Sequence, residues 1–355
     1  MFPKSGVIDL IKNKYLSFFA LLSLVGCCTF SVPPYKGPVS DHFNGESFYN
    51  LDSINNTERN LFSLPKFFLT RPHYLWKDSL DLLPGSAPEE HIGIGKIKVT
   101  FVNHASFLIQ TDSFNILTDP IWSESVGPLS WPSWKRMHSV GIHFDDLPNI
   151  DVVLISHNHY DHLDLPTIEK LKAKFNPLFI VPLGNKVFLE QNDIYNVIEL
   201  DWWQNYSIRE KLPITLVPAK HISMRGICDT RKTLWGGFVI NSKKGPIFFA
   251  GDTGFGIHFR RIFDKFGPQA VSLLPIGPIN PEWFMKEIHM SPSDAATAHK
   301  ILQSKVSFAM HFGTFAQFSD EQDEAPLELE RVLHNEEIYN SEFILPVFGR
   351  GYEIK

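Results

Sequence analysis

Apolar and polar positions begin to alternate with a period of two near Lys96, where IKVTFV, SFLIQT and FNILTD follow one another with turn-forming polar residues between them. That spacing predicts three short strands folded as a meander. DVVLIS, at 151–156, is almost continuously apolar, as a strand buried on both faces requires. Pro166 then opens a helix that places Ile168, Leu171 and Phe175 on one face. Strand signals recur in PLFIVP, YNVIEL, PITLVPA, GPIFFAGD, AVSLLPI and VSFAMH, and Ser291-Pro292 caps a helix running through His299 to about Gln303. Alternating strands and helices of this kind predict an α/β domain.

The beginning of the chain follows a different pattern. Lys4, Lys12 and Lys14 precede an apolar stretch, 16–26, that is too short to cross a bilayer and has the shape of a secretory signal. Its end, Leu24-Val25-Gly26-Cys27, resembles the lipobox of bacterial lipoproteins, in which the cysteine is acylated and becomes the mature first residue. Residues 1–26 are then the signal peptide and Cys27 the lipidation site; the alternatives are a plain cleaved signal or an uncleaved anchor. Residues 27–60 are rich in Pro, Gly, Ser and Asn and read as a tether or an irregular wrapping segment, with the folded domain from 61 to 355. With Cys27 acylated, only Cys28 and Cys228 remain as thiols, so disulfides are not expected to organise the fold and neither cysteine reads as a nucleophile.

Composition narrows the class. The chain has 355 residues, 43% hydrophobic and 13% aromatic, enough for a large core and too apolar for disorder. A net charge of −6, with no long Lys/Arg run, argues against nucleic acid as a partner.

The chemistry concentrates in SHNHYDHLD, at 156–164. His157, His159, Asp161 and His162 on one short loop suit zinc or a similar metal, and such a loop can aim two side chains at one ion and two at its neighbour. Three more candidate ligands stand just beyond strand ends: His221 after ITLVPAK, Asp252 after IFFAG and His311 after VSFAM. Ligands at open strand ends can be rigid and still accessible. FFAGDTGFG is glycine-rich but lacks the lysine of a P-loop and the spacing of a dinucleotide fingerprint; its glycines are expected to let backbone pass close to the metals. His73, His138, His258, His299 and His334 lack companion ligands and are expected to pack or face solvent.

Together these motifs resemble the metallo-β-lactamase superfamily, which implies an αββα sandwich over most of the chain. Within it, HNHYDHLD, VPAKH, FFAGDTG, PEWFMKEIH and HFGTF are similar to the N-acyl-phosphatidylethanolamine-hydrolysing phospholipases D. The resemblance implies two zinc ions, one held by His157, His159 and His221, the other by Asp161, His162 and His311, with Asp252 bridging. Two such ions would activate a hydroxide and clamp the attacking and leaving oxygens of an in-line displacement at phosphorus. The resemblance also assigns substrate contacts to Tyr160 and His289, and Asp161, Asp252 and His289 would take part in the chemistry. Asp119 and His104 are candidates for fixing ligand tautomers. Aromatic clusters at 61–69, 74–76 and 131–134, the last beside Lys135 and Arg136, would line a lipid-entry groove or touch the bilayer, or else pack a core or a dimer contact.

The expected function is hydrolysis of N-acyl-phosphatidylethanolamine to N-acylethanolamine and phosphatidate. A phospholipid is then the substrate, the membrane a partner through the lipid anchor and apolar surface, and a homodimer is also allowed. The location would be the bacterial cell envelope, at the outer membrane facing the periplasm. The alternatives are a lactonase-like hydrolase of a small soluble phosphorylated substrate and a lipid-binding lipoprotein without catalysis. For the anchor, Cys27→Ala should leave the precursor unlipidated; fractionation, fatty-acid labelling and migration all equal to wild type would contradict the lipobox.

Overall fold

The computed structural model describes residues 30–52, 66, 76–77, 85–128, 134–316 and 319–355. Cys27 and the signal segment, Cys28, His73, Tyr74, Trp131 and the 61–69 cluster apart from Lys66 lie outside the described residues.

The three alternating runs form β1 (Ile97–Asn103), β2 (Ser106–Thr111) and β3 (Phe114–Thr118), paired antiparallel. The sheet continues in parallel through β4 (Val152–Leu154), β5 (Leu178–Pro182) and β6 (Val197–Leu200). The second sheet repeats this plan. β7 (Asn205–Ile208), β8 (Leu212–Val217), β9 (Gly237–Ser242) and β10 (Gly245–Phe249) are antiparallel, and β11 (Val271–Pro275), β12 (Val306–Met310) and β13 (Phe343–Ile344) extend it in parallel. A last strand, β14 (Gly351–Ile354), closes the first sheet beside β1 and makes both sheets seven-stranded.

Period-two alternation divides each central strand between two cores. Phe101, Ile109, Ile116, Leu154 and Ile180 meet Leu216, Phe238, Ile247 and Phe249 in the larger core. Their neighbours Val102, Leu108, Leu117, Val153 and Phe179 face the other way, onto Ile168 and Leu171 of α1 (Leu165–Phe175) and Leu189 of α2 (Lys186–Glu190). Each such side chain contributes about 1.5–3 kcal/mol on full burial. On the far side, α3 (His258–Phe266), α5 (Pro292–Ile301) and α6 (Glu324–Asn335) add Phe259, Ala295 and Leu329 to the larger core, while the short α4 (Glu282–Met285) precedes α5. The result is the αββα order implied by the resemblance. The start of α5 is where the sequence puts it: Ser291 Oγ accepts from Asp294 N at 3.2 Å, and the Asp294 carboxylate accepts in return from Ser291 N.

Residues 30–52 wrap the second half of the domain. Phe43 and Phe48 are buried in the larger core with their rings 4.5 Å apart, and His42 stacks on Trp202 at 4.3 Å between the carboxylates of Asp41 and Asp201. His258 and His299 are buried, on Thr253 and Ser307 respectively, and His138 packs on Phe348.

Two expectations change. Cys228 is disulfide-bonded, so a disulfide does take part in this structure. Arg136 is not free for a surface patch: burial lowers its pKa, and it lies under the Trp122 carbonyl at 3.5 Å. Among the described residues no helix is long and apolar enough to cross a membrane.

Candidate metal centre

All the strand-end candidates arrive at one edge of the sandwich. The loop after β4 turns on itself, with the His159 carbonyl accepting from both His162 N and Leu163 N, and this turn separates the first two histidines from Asp161 and His162. Gly251, at φ +59°, lets the loop after β10 press against it; a Cβ there would lie 2.5 Å from the Cβ of Ser156. His104 in the β1–β2 turn, Asp119 after β3 and His311 after β12 all have positive φ, at 44°, 32° and 62°. Such backbone costs about 1–3 kcal/mol per residue, so the surrounding packing must hold it in place. Part of that hold is a bond across the two sheets, from His311 N to the His104 carbonyl at 2.8 Å.

Two four-residue clusters of donor atoms result, with two overlapping groups of three, Asp119–His157–His162 and Asp252–His289–His311, among the described residues. In the first, His157 Nε2 and His221 Nε2 stand 2.8 and 3.3 Å from His159 Nδ1, with Asp252 completing the group. Two nitrogens bound at 2.0–2.1 Å to one tetrahedral ion lie about 3.3 Å apart, so the spacing suits a shared cation. In the second, Asp161 Oδ2 is 3.7 Å from both His162 Nε2 and His311 Nε2, and 3.1 Å from His104 Nε2. Asp252 Oδ2 lies between the clusters, 3.2 Å from His162, 3.1 Å from His311 and 3.7 Å from His221. Its Oδ1, although buried, has no hydrogen-bond partner among the described residues. Convergent nitrogens and an unsatisfied carboxylate oxygen fit a pair of divalent ions.

The other ring nitrogens are committed elsewhere. His162 Nδ1 donates to Asp119 Oδ2 at 2.6 Å, and His221 Nδ1 donates to the Ile288 carbonyl at 2.8 Å. Ser156 Oγ donates to Asp119 at 2.6 Å and is placed to accept from His157 Nδ1 at 2.9 Å. On His157 and His221 these bonds leave Nε2 as a lone pair aimed into the site, and on His162 they turn Nε2 toward Asp252 and Asp161. Asp119 thus fixes the tautomer of a candidate ligand, as expected, whereas His104 meets the carboxylate of Asp161 and no ligand imidazole nitrogen. Asn50 was not anticipated: its side chain pairs with both the N–H and the carbonyl of His221, at 3.1 and 2.9 Å.

Burial pushes the imidazoles of His104 and His221 down, to about 4 and about 3, so both are neutral near pH 7. Asp161 and Asp252 go the other way. Burial would raise them, but the neighbouring imidazoles, His162 foremost, hold both well below the usual carboxylate range. His162 itself is raised against its burial by Asp252, Asp161 and Asp119.

His289 sits among the candidate ligands, with Nδ1 3.7 Å from Asp252 Oδ2 and its ring 5.2 Å from that of His221. Tyr160 is half-buried beside Ile121, Val126, Trp134 and Phe315. Next to His104 and His311 lies a recess of about 40 Å³, walled in part by Trp76, Phe312 and Phe315. A groove of about 800 Å³, which shares Trp76 and Gln322 with it, runs on toward Ser293, Leu327 and Arg331.

The family described as the beta-lactamase superfamily domain matches residues 114–312. N-acyl-phosphatidylethanolamine-hydrolyzing phospholipase D 1 of Caenorhabditis elegans is 30% identical over 267 residues, spanning 72% of this chain and 75% of that protein. The mitochondrial N-acyl-phosphatidylethanolamine-hydrolyzing phospholipase D of Saccharomyces cerevisiae is 37% identical over 215 residues, 58% of this chain and 45% of its own length. Among solved structures, a metallo hydrolase from Ignicoccus hospitalis aligns with a TM-score of 0.56 at 22% identity, over 73% of this chain and 99% of that one, which shows a shared fold.

Two substitutions test the centre. Asp252→Asn replaces the carboxylate between the two clusters by an amide and should sharply reduce metal retention; Asp119→Ala should weaken it roughly ten- to a hundredfold by releasing His162. Competition with a chelator measures both, and wild-type retention in both variants would contradict the arrangement.

Proposed function

Since the chain belongs to the metallo-β-lactamase superfamily and is a metal-dependent hydrolase, we propose that it is a zinc-dependent phosphodiesterase of phospholipase D type acting on N-acyl-phosphatidylethanolamine. The supporting observation is the position of His289: the segment PEWFMKEIH, which resembles these phospholipases, brings its imidazole to 3.7 Å from the central Asp252 carboxylate. Two relatives named for this reaction, at 30% and 37% identity, favour the same substrate.

In this proposal His157, His159 and His221 hold one zinc, Asp161, His162 and His311 the second, and Asp252 both. Bound zinc would supply Lewis acidity toward phosphoryl oxygens and a strong nucleophile at neutral pH. The chain's own groups do the rest. Tyr160, whose pKa burial raises, remains protonated and can donate to a phosphate oxygen. The His289 imidazole can orient the headgroup amide or deliver a proton to the departing ethanolamine oxygen as its bond to phosphorus breaks. The groove that adjoins the small recess beside His104 and His311 has room for a bulky substituent. With Cys27 acylated, the enzyme would stand on the envelope membrane that contains its substrate.

Incubating the metal-loaded protein with a phospholipid panel and identifying products by mass spectrometry tests this function; N-acylethanolamine and phosphatidate are expected. Tyr160→Phe and His289→Ala should each slow lipid hydrolysis about ten- to a thousandfold, a loss of about 1.4 to 4 kcal/mol, with metal content unchanged. Full lipid turnover in both variants, or turnover only of small soluble phosphorylated substrates, would overturn it.

A further inference from the structure

Arg225 lies four residues beyond His221 and reaches across to the loop after β4, which belongs to the other sheet. Its Nη1 donates to the carbonyls of Asn158 and Leu163, at 3.0 and 2.8 Å. Those two residues bracket His159, Tyr160, Asp161 and His162. The guanidinium carbon stands 4.0 Å from the centroid of the Tyr160 ring and 5.0 Å from that of Phe188 in α2, so the cation contacts two aromatic rings. The backbone that carries Arg225 is held separately: Arg225 N and Gly226 N both donate to Asp229 Oδ1, at 3.0 and 2.9 Å.

We propose that Arg225 is a positioning residue for the metal centre, joining the His221 segment to both ends of the HNHYDH loop so that ligands from the two sheets are registered before a metal arrives. The contact with the Tyr160 and Phe188 rings favours a guanidinium. One planar group satisfies two carbonyls and stacks on Tyr160 at the same time, whereas a lysine ammonium is a compact point charge with no flat face. A pre-registered loop raises metal affinity because less ordering remains to be done on binding. The same stack orients the phenol of Tyr160, so loss of Arg225 should affect that side chain as well.

The test measures zinc affinity of the full chain by competition with a chromogenic chelator, with no substrate present, so its outcome is independent of the phospholipid assignment. Arg225→Met is expected to bind zinc at least tenfold more weakly, while the far-UV circular dichroism and melting temperature of the metal-depleted protein stay close to wild type. Added guanidinium ion at non-denaturing millimolar concentration should recover part of the affinity. Wild-type zinc affinity would overturn the proposal, as would a loss of affinity that guanidinium does not rescue and that merely tracks lower stability of the metal-free protein. Should Arg225→Met fail to fold, Arg225→Lys replaces it. That variant keeps the charge but loses the flat group that lies on Tyr160, so a tenfold loss is again expected, and wild-type affinity there is equally decisive.

Discussion

Burying Asp119, Asp161 and Asp252 in one cluster would cost several kcal/mol per charge unless opposite charge or donors met each of them. Imidazoles meet them. His162 touches all three carboxylates, donating to Asp119 through Nδ1 and facing Asp252 and Asp161 through Nε2, and its raised pKa records that environment. His104 and His221 are pressed into their neutral forms by the same burial. Asp161, Asp252 and His221 are thus already in the protonation state that metal ligation requires, whereas on His162 a cation would have to displace the proton that the surrounding carboxylates favour.

Both sheets have the same construction, an antiparallel half followed by a parallel half. Parallel strands all end on one side, so the loops after β4, β10 and β12 deliver candidate ligands to a common edge. Strain and close contact are concentrated there: the positive φ of His104, Asp119 and His311, and the approach of Gly251 to Ser156, occur where loops from different strands meet. The cores on either side, filled by the two faces of each central strand, make this geometry affordable.

Much of this was legible in the sequence because the signals were local. The HNHYDH loop follows a continuous apolar strand, and His221, Asp252 and His311 each follow a strand whose pattern can be read directly. Other elements carried weaker patterns. β7 is a polar edge strand, β13 is two residues long, and β14 is fixed by pairing with β1 across the length of the chain. Composition alone also left residues 30–52 ambiguous, although Phe43 and Phe48 are core residues. Asn50 and Arg225 had no local signature at all: Asn50 meets a backbone 171 residues away, and Arg225 meets carbonyls 67 and 62 residues away. Tertiary contacts of that range create functional roles that periodicity and spacing do not encode.

The proposed dinuclear centre, built around a shared Asp252 carboxylate, is tested most directly by metal stoichiometry. Purified protein should be supplemented with zinc, freed of loosely bound ions and analysed for metal per chain. Two ions are expected; one or fewer in a folded, zinc-supplemented sample would contradict the shared centre.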